Sequence, residues 1–141
     1  MIPREQFEKL VAEEFPNAIP EKFRGRIKNV AFLVEDVPSA EVRQAERLSP
    51  NHTLLGYYRG IPHTARGDWY GVGNTLPDTI TLYQLPIEAE AAKLTARFNL
   101  AEEEAVRKTV RDTIWHEVAH HFGMGEYEVR QREKKRGRRQ N

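Results

Sequence analysis

The sequence predicts one domain that mixes helices with strands. At 141 residues the chain fits a single core and is too short for two. Continuous apolar and period-two runs mark strands in its middle, whereas helical periodicity marks both flanks. The last helical segment carries Trp115-His116-Glu117-Val118-Ala119-His120-His121-Phe122-Gly123, in which His-Glu-x-x-His sets two histidines one turn apart on one face. A single domain over residues 1–129 and a basic tail over 130–141 are expected.

Pro3 to Phe15 reads as the first helix, with Phe7, Leu10, Val11 and Phe15 as its apolar stripe and Pro16 and Asn17 as its stop. Ile19 to Ile27 reads as a short second helix. The apolar run Val30-Ala31-Phe32-Leu33-Val34, within Asn29–Val37, predicts a strand buried on both faces. Ser39 to Leu48 is charged and suits a helix or an ordered loop, and Leu54 to Arg59 is the next strand. Residues 60–77 have no period and contain Gly60, Pro62, Gly67, Gly71 and Gly73. With His63, Arg66, Asp68, Trp69 and Tyr70 among them, they read as a loop lying over a site.

Asp78 to Leu85 alternates Ile80 and Leu82 with Thr79, Thr81 and Tyr83, which predicts a strand with one covered and one more open face. An exposed edge there would pair with an extended peptide. Pro86 opens a helix from about Ile87 to Phe98. Asn99 with Glu102 matches a capping box for the motif helix, which then runs to Phe122 and ends at Gly123. Val106, Val110, Ile114 and Val118 form its stripe, and the helix becomes apolar on most sides toward its end. His116, Glu117, His120 and His121 are therefore expected in a buried part, where polar groups without partners cost roughly 1–3 kcal/mol each.

Composition limits what this cluster can be. There is no cysteine, which excludes disulfides and thiolate metal sites and leaves histidine and carboxylate as donors. His116 and His120 at ligand spacing suit Zn²⁺, and Glu117 sits where it can reach a metal-bound water. A catalytic zinc normally has three protein ligands. Gly123 and Glu126 fall at the glycine and final-ligand positions of the elongated motif, so Glu126 is the expected third ligand, with Glu128 and, more remotely, Asp78 as alternatives. His121 points about 100° away from His120 and is expected to be packed or hydrogen-bonded. His63, Arg66, Tyr57 and Tyr127 are candidates to stabilise an oxyanion.

The chain resembles the minimal zincin-like bacterial family of possible zinc metallopeptidases. The resemblance lies in Asn29–Asp36, Leu55 through Pro62, Leu76 through Tyr83, and His116 through Gly123, and it covers nearly everything except the tail. It implies a compact α+β zincin-like fold with a small mixed sheet packed against the motif-bearing helix. It also implies His116 and His120 as ligands and Glu117 as general base. Family members tend to carry Asp where this chain has Glu126. No methionine follows Met124, so the Met-containing turn of the metzincins is absent. The function expected is zinc-dependent hydrolysis of peptide bonds in a peptide or protein substrate, through zinc-bound water with Glu117 as base. The alternative is a metal- or peptide-binding module of the same fold, against which the intact Glu117 argues.

Charge adds a second rival. The net charge of +1 combines +6 over residues 130–141 with −5 over the rest. That tail could contact phosphates, but no aromatic residues interleave its charges, so nucleic acid is not the expected partner. The start lacks a signal pattern and no apolar run approaches membrane-spanning length, so a cytoplasmic location without membrane association is expected.

Overall fold

The structure is a computed structural model, and it describes residues 1–25, 27, 29–60 and 76–122. The expectations placed on His63, Arg66, Asp68, Trp69, Tyr70, Gly123, Glu126, Tyr127, Glu128 and the tail lie outside the described residues. The fold is α+β. Its elements are α1 (Arg4–Ala18), α2 (Glu21–Arg24), β1 (Val30–Glu35), α3 (Ala40–Ala45), β2 (Gly56–Arg59), β3 (Asp78–Tyr83), α4 (Gln84–Phe98) and α5 (Glu102–His121). No described helix is long and apolar enough to cross a membrane.

The three strands form one mixed sheet in the order β1-β3-β2. β1 runs parallel to β3 with Val30 opposite Asp78 and Glu35 opposite Tyr83. β2 runs antiparallel to β3 with Gly56 opposite Leu82 and Arg59 opposite Thr79. This order corrects two expectations. β3 is the central strand, so its backbone pairs on both sides and it has no edge for a peptide; its residues from Ile80 to Tyr83 are all buried, leaving no open face. The more apolar β1 is an outer strand, as β2 is on the other side. It is only half-buried, and Leu33 is 46% exposed. An apolar run sets that a strand is buried somewhere, but its place in the sheet depends on distant partners.

α5 packs against α1 and α4, and against β2 and β3. Its stripe Val106, Val110, Ile114 and Val118 is fully buried, as is Trp115, which meets the ring of Phe23 at 5.6 Å between centroids. Phe7, Leu10 and Val11 of α1, Ile80 and Leu82 of β3, and Ile87 and Ala91 of α4 complete the core. Phe15, half-buried, leaves the stripe to pack on Phe32 of β1 at 4.7 Å.

Several boundaries shift for local reasons. α1 continues through Pro16 to Ala18. A proline near a helix end forfeits only one hydrogen bond, and the extra turn buries Ala18 completely. The second helix is reduced to Glu21–Arg24. Residues Ala40–Ala45 are helical, capped by the Ser39 hydroxyl, which accepts from the Val42 N–H at 3.2 Å. α4 starts at Gln84 with Pro86 inside its first turn, where no N–H is required of it.

Asn99 does not cap α5. It ends α4 in the left-handed region (φ 55°, ψ 39°), donating its N–H to the Thr95 carbonyl. Asn is one of the few residues that adopts that conformation readily. α5 starts at Glu102 behind Ala101, and Glu102, Glu103 and Glu104 complement its N-terminal dipole.

Candidate active site

The motif occupies the last turn and a half of α5, where the helix passes the outer edge of β2. The Tyr83 N–H donates to the Leu55 carbonyl. Antiparallel pairing alternates, so Tyr57 and Arg59 also face β3, and Gly56 and Tyr58 turn their N–H and C=O away from the sheet. The Tyr58 N–H accordingly donates to Glu117 Oε1 at 3.2 Å. A sheet edge and the motif helix thus meet at the carboxylate.

Gly56 permits that approach. A Cβ there would lie 2.8 Å from Thr113 Cγ2 of α5 and 3.3 Å from both Leu82 Cδ2 and the Thr81 carbonyl. Any side chain at this position would push β2 away from the helix.

His116 and His120 stand on one face of α5, their ring centroids 4.4 Å apart and their planes inclined at 53°. The burial expected of the cluster is only partly found. His116 and Glu117 are half-buried, whereas His120 and His121 are exposed and Phe122 is 37% exposed. The helix runs along the core and emerges from it, so its last turn faces outward. Burial pushes the Glu117 carboxyl above the usual carboxylate range, with His116 and the Tyr58 N–H pulling in the opposite direction and Glu46 reinforcing the rise.

His121 is packed, stacked on Tyr58 at 3.8 Å between centroids and 16° between planes. Its Nε2 lies 3.8 Å from Asp78 Oδ2, the same oxygen that accepts the Tyr58 hydroxyl at 2.7 Å. A Cβ on Gly60 would come within 2.9 Å of His121 Cε1. Tyr58, Asp78 and His121 therefore tie the end of α5 to β2 and β3. None of these contacts follows from local pattern; the signal was a pair of glycines, Gly56 and Gly60, bracketing Tyr57-Tyr58-Arg59, and an Asp opening the central strand.

Two candidates are placed differently from expectation. Strand alternation turns Tyr57 to the face opposite Tyr58, where Arg59 lies over its ring at 5.8 Å. Asp78 does not join His116 and His120 as a ligand, and among the described residues no group of three His, Cys, Asp or Glu gathers to hold an ion. The two imidazoles nevertheless fit one: neighbouring rings on one face, one half-buried and one exposed, beside a carboxylate held by a backbone amide. The described chain supplies these two donors.

Beside the motif lies a cleft of about 440 Å³, lined by Thr53–Gly56 ahead of and into β2, by Glu90 and Leu94 of α4, and by α5 from Lys108 to Glu117. That volume falls within the range of roughly 300–1,000 Å³ usual for ligand sites. Sequence pattern gave no hint of it, because three separate segments build its walls.

Comparison with curated proteins gives no match. A family model described as zincin-like metallopeptidase matches residues 27–136, a span that contains the whole sheet, α4, α5 and the motif. On that match, which takes in well over half of the chain, the protein belongs to the zincin-like metallopeptidase family.

Proposed function

We propose that this chain is a zinc-dependent peptidase in which His116, His120 and Glu126 hold the ion and Glu117 is the general base. The observation that carries the reading is the meeting of Glu117 with the β2 edge: a half-buried carboxylate beside two neighbouring imidazoles, fixed by the Tyr58 N–H at 3.2 Å. When bound, zinc supplies Lewis acidity toward a carbonyl oxygen and a water.

The protein's own residues do the rest. Glu117 accepts the proton that the attacking water loses and delivers it to the amine nitrogen as the C–N bond breaks. A carboxyl held above the usual carboxylate range is a better proton acceptor for that task. The Tyr58 N–H is taken by Glu117, so the outward-facing Gly56 N–H and the Gly56 and Tyr58 carbonyls are the edge on which an extended peptide lies by strand addition, replacing the β3 edge that the sheet order removes.

Metal analysis of the purified protein should give about one zinc per chain. Glu117→Gln should keep the zinc and lower peptide hydrolysis by about 10²–10⁴-fold. A Glu117→Gln protein that cleaves as well as wild type, or a zinc-loaded wild type that cleaves no peptide in a diverse library, would sink the reading; the second result would leave a binding module.

A further inference from the structure

Resting on the peptidase reading, we infer that Asp78 is a positioning residue for the general base: through the Tyr58 hydroxyl it sets where the Tyr58 amide holds Glu117.

The group to be positioned sits on a weakly supported stretch of backbone. By the alternation of the ladder, Tyr58 turns its N–H and C=O away from β3, and the N–H goes to Glu117 Oε1 at 3.2 Å. β2 is only four residues long, and no described strand pairs with its outer side. Backbone with so few ladder bonds opens and shifts more readily than backbone inside a sheet. The side chain supplies the anchor that the ladder does not. The Tyr58 hydroxyl donates to Asp78 Oδ2 at 2.7 Å. Only two torsions separate the ring from the backbone, so fixing the hydroxyl closely restricts the amide.

The sheet register builds this tie. Tyr58 pairs with Ile80, and Asp78 precedes Ile80 by two, so the two side chains are diagonal neighbours on one face, within reach of a long aromatic side chain. One step past the Arg59–Thr79 pair, the position opposite Asp78 is Gly60. It has no side chain to stand between the carboxylate and the hydroxyl, and a Cβ there would come within 2.9 Å of His121 Cε1. Asp78 itself opens the central strand, pairs with Val30 of β1 and is 7% exposed. The anchor point is therefore firm, and the group it anchors lies at the sheet's outer edge.

The choice of a carboxylate points the same way. Burying one is costly unless its oxygens are bonded, and apolar packing would hold two strands together without that cost. A hydrogen bond adds direction, which apolar contact lacks. Here the direction is imposed on the residue whose amide meets Glu117. A displacement of about 1 Å at a catalytic group costs about 10²-fold in rate.

The test combines rates with an amide resonance. Per zinc-loaded chain, Asp78→Ala and Tyr58→Phe should each lower kcat by about 10–100-fold and change KM by less than about three-fold. The double variant should be no slower than the slower single one, because both changes remove one tie. Asp78→Asn, whose amide oxygen still accepts the hydroxyl, should return kcat to within about three-fold of wild type. In the zinc-free full chain, the Tyr58 amide proton should move in Asp78→Ala toward its position in Glu117→Ala, and stay near its wild-type position in Asp78→Asn. Tyr58→Phe should move it the same way as Asp78→Ala; it keeps the aromatic ring and covers the case in which Asp78→Ala misfolds. An amide that stays in place in the folded variants, rate losses that multiply in the double variant, or loss of zinc from Asp78→Ala overturns the inference.

The amide also separates this failure from failure of the peptidase reading. If wild type cleaves no peptide and the amide moves as stated, the peptidase falls and the placing of Glu117 by Asp78 stands. If wild type cleaves and the amide stays in place, the peptidase stands and the role of Asp78 falls.

Discussion

Tyr58 acts with three of its parts at once. Its amide holds Glu117, its hydroxyl donates to Asp78, and its ring carries His121. The position of that residue depends in turn on the one two before it. Gly56→Val places carbon 2.8 Å from Thr113 Cγ2, and Thr113 cannot swing away cheaply because its hydroxyl is bonded to the Thr109 carbonyl. The expected cost is about 1–3 kcal/mol from overpacking, with the Tyr58–Glu117 contact lengthened and hydrolysis reduced. Gly25→Ala is the control. A Cβ there meets no described atom within 4 Å, and the backbone is right-handed helical (φ −65°), so its stability should change by less than about 1 kcal/mol, in the stabilising direction. Urea midpoints of the two variants check both; equal midpoints would remove Gly56 from any positioning role. Gly56 was visible in the sequence as a glycine within an apolar and aromatic run. What it makes room for was not, because Thr113 belongs to a helix 57 residues further on.

The pairing of α1 with α5 rests on an ionic clamp beside the apolar stripe. Glu14 is 5% exposed and accepts from Arg107 and Arg111, each at 2.8 Å. Burial pushes its carboxyl up, but hydrogen bonds to Arg111 and Arg107 and their charges outweigh it and hold it below the ordinary value of 4.5. A depressed folded-state value means the clamp contributes fully above about pH 4.5 and loses its contribution as pH falls through the lower folded-state value. Glu14→Gln should therefore destabilise by about 1–3 kcal/mol at pH 7. The gap between its melting temperature and that of wild type should shrink steadily below pH 4.5. A gap independent of pH between 7 and 3 would show that the charge contributes nothing. The helices themselves were legible, since Phe7, Leu10 and Val11, and Val106 through Val118, repeat at helical spacing and are all buried. Glu14 in the same stripe was not, because its partners lie 93 and 97 residues away. Asn99 failed for the opposite reason. Its side chain suits a helix start and its backbone suits a helix end, and only the left-handed φ decides between them.

At the scale of the whole molecule, α5 is the element through which α1, α4, β2 and β3 are joined, and His116 and His120, two of the proposed metal ligands, sit near its end. The β1-β3-β2 order and the cleft both arise from this long-range arrangement, which explains why local patterns located the motif but did not show that β3 is the central strand. It also makes metal binding a statement about folding. An ion that binds only the native chain adds about 2.7 kcal/mol when its free concentration is about 100 times Kd. For a domain of this size that raises Tm by roughly 8–12 °C. The two histidines should respond differently when removed. His120 is exposed, so His120→Ala should leave the zinc-free Tm within about 2 °C of wild type and abolish most of the zinc-dependent rise. His116 is half-buried and lines the cleft, so His116→Ala should lower the zinc-free Tm as well as removing the rise. Melts with excess zinc and with chelator separate the two effects. If His120→Ala keeps the full zinc-dependent rise, the ion is held elsewhere and the proposed ligand set is wrong. If wild type shows no rise at saturating zinc, the two neighbouring imidazoles serve packing and solvation alone.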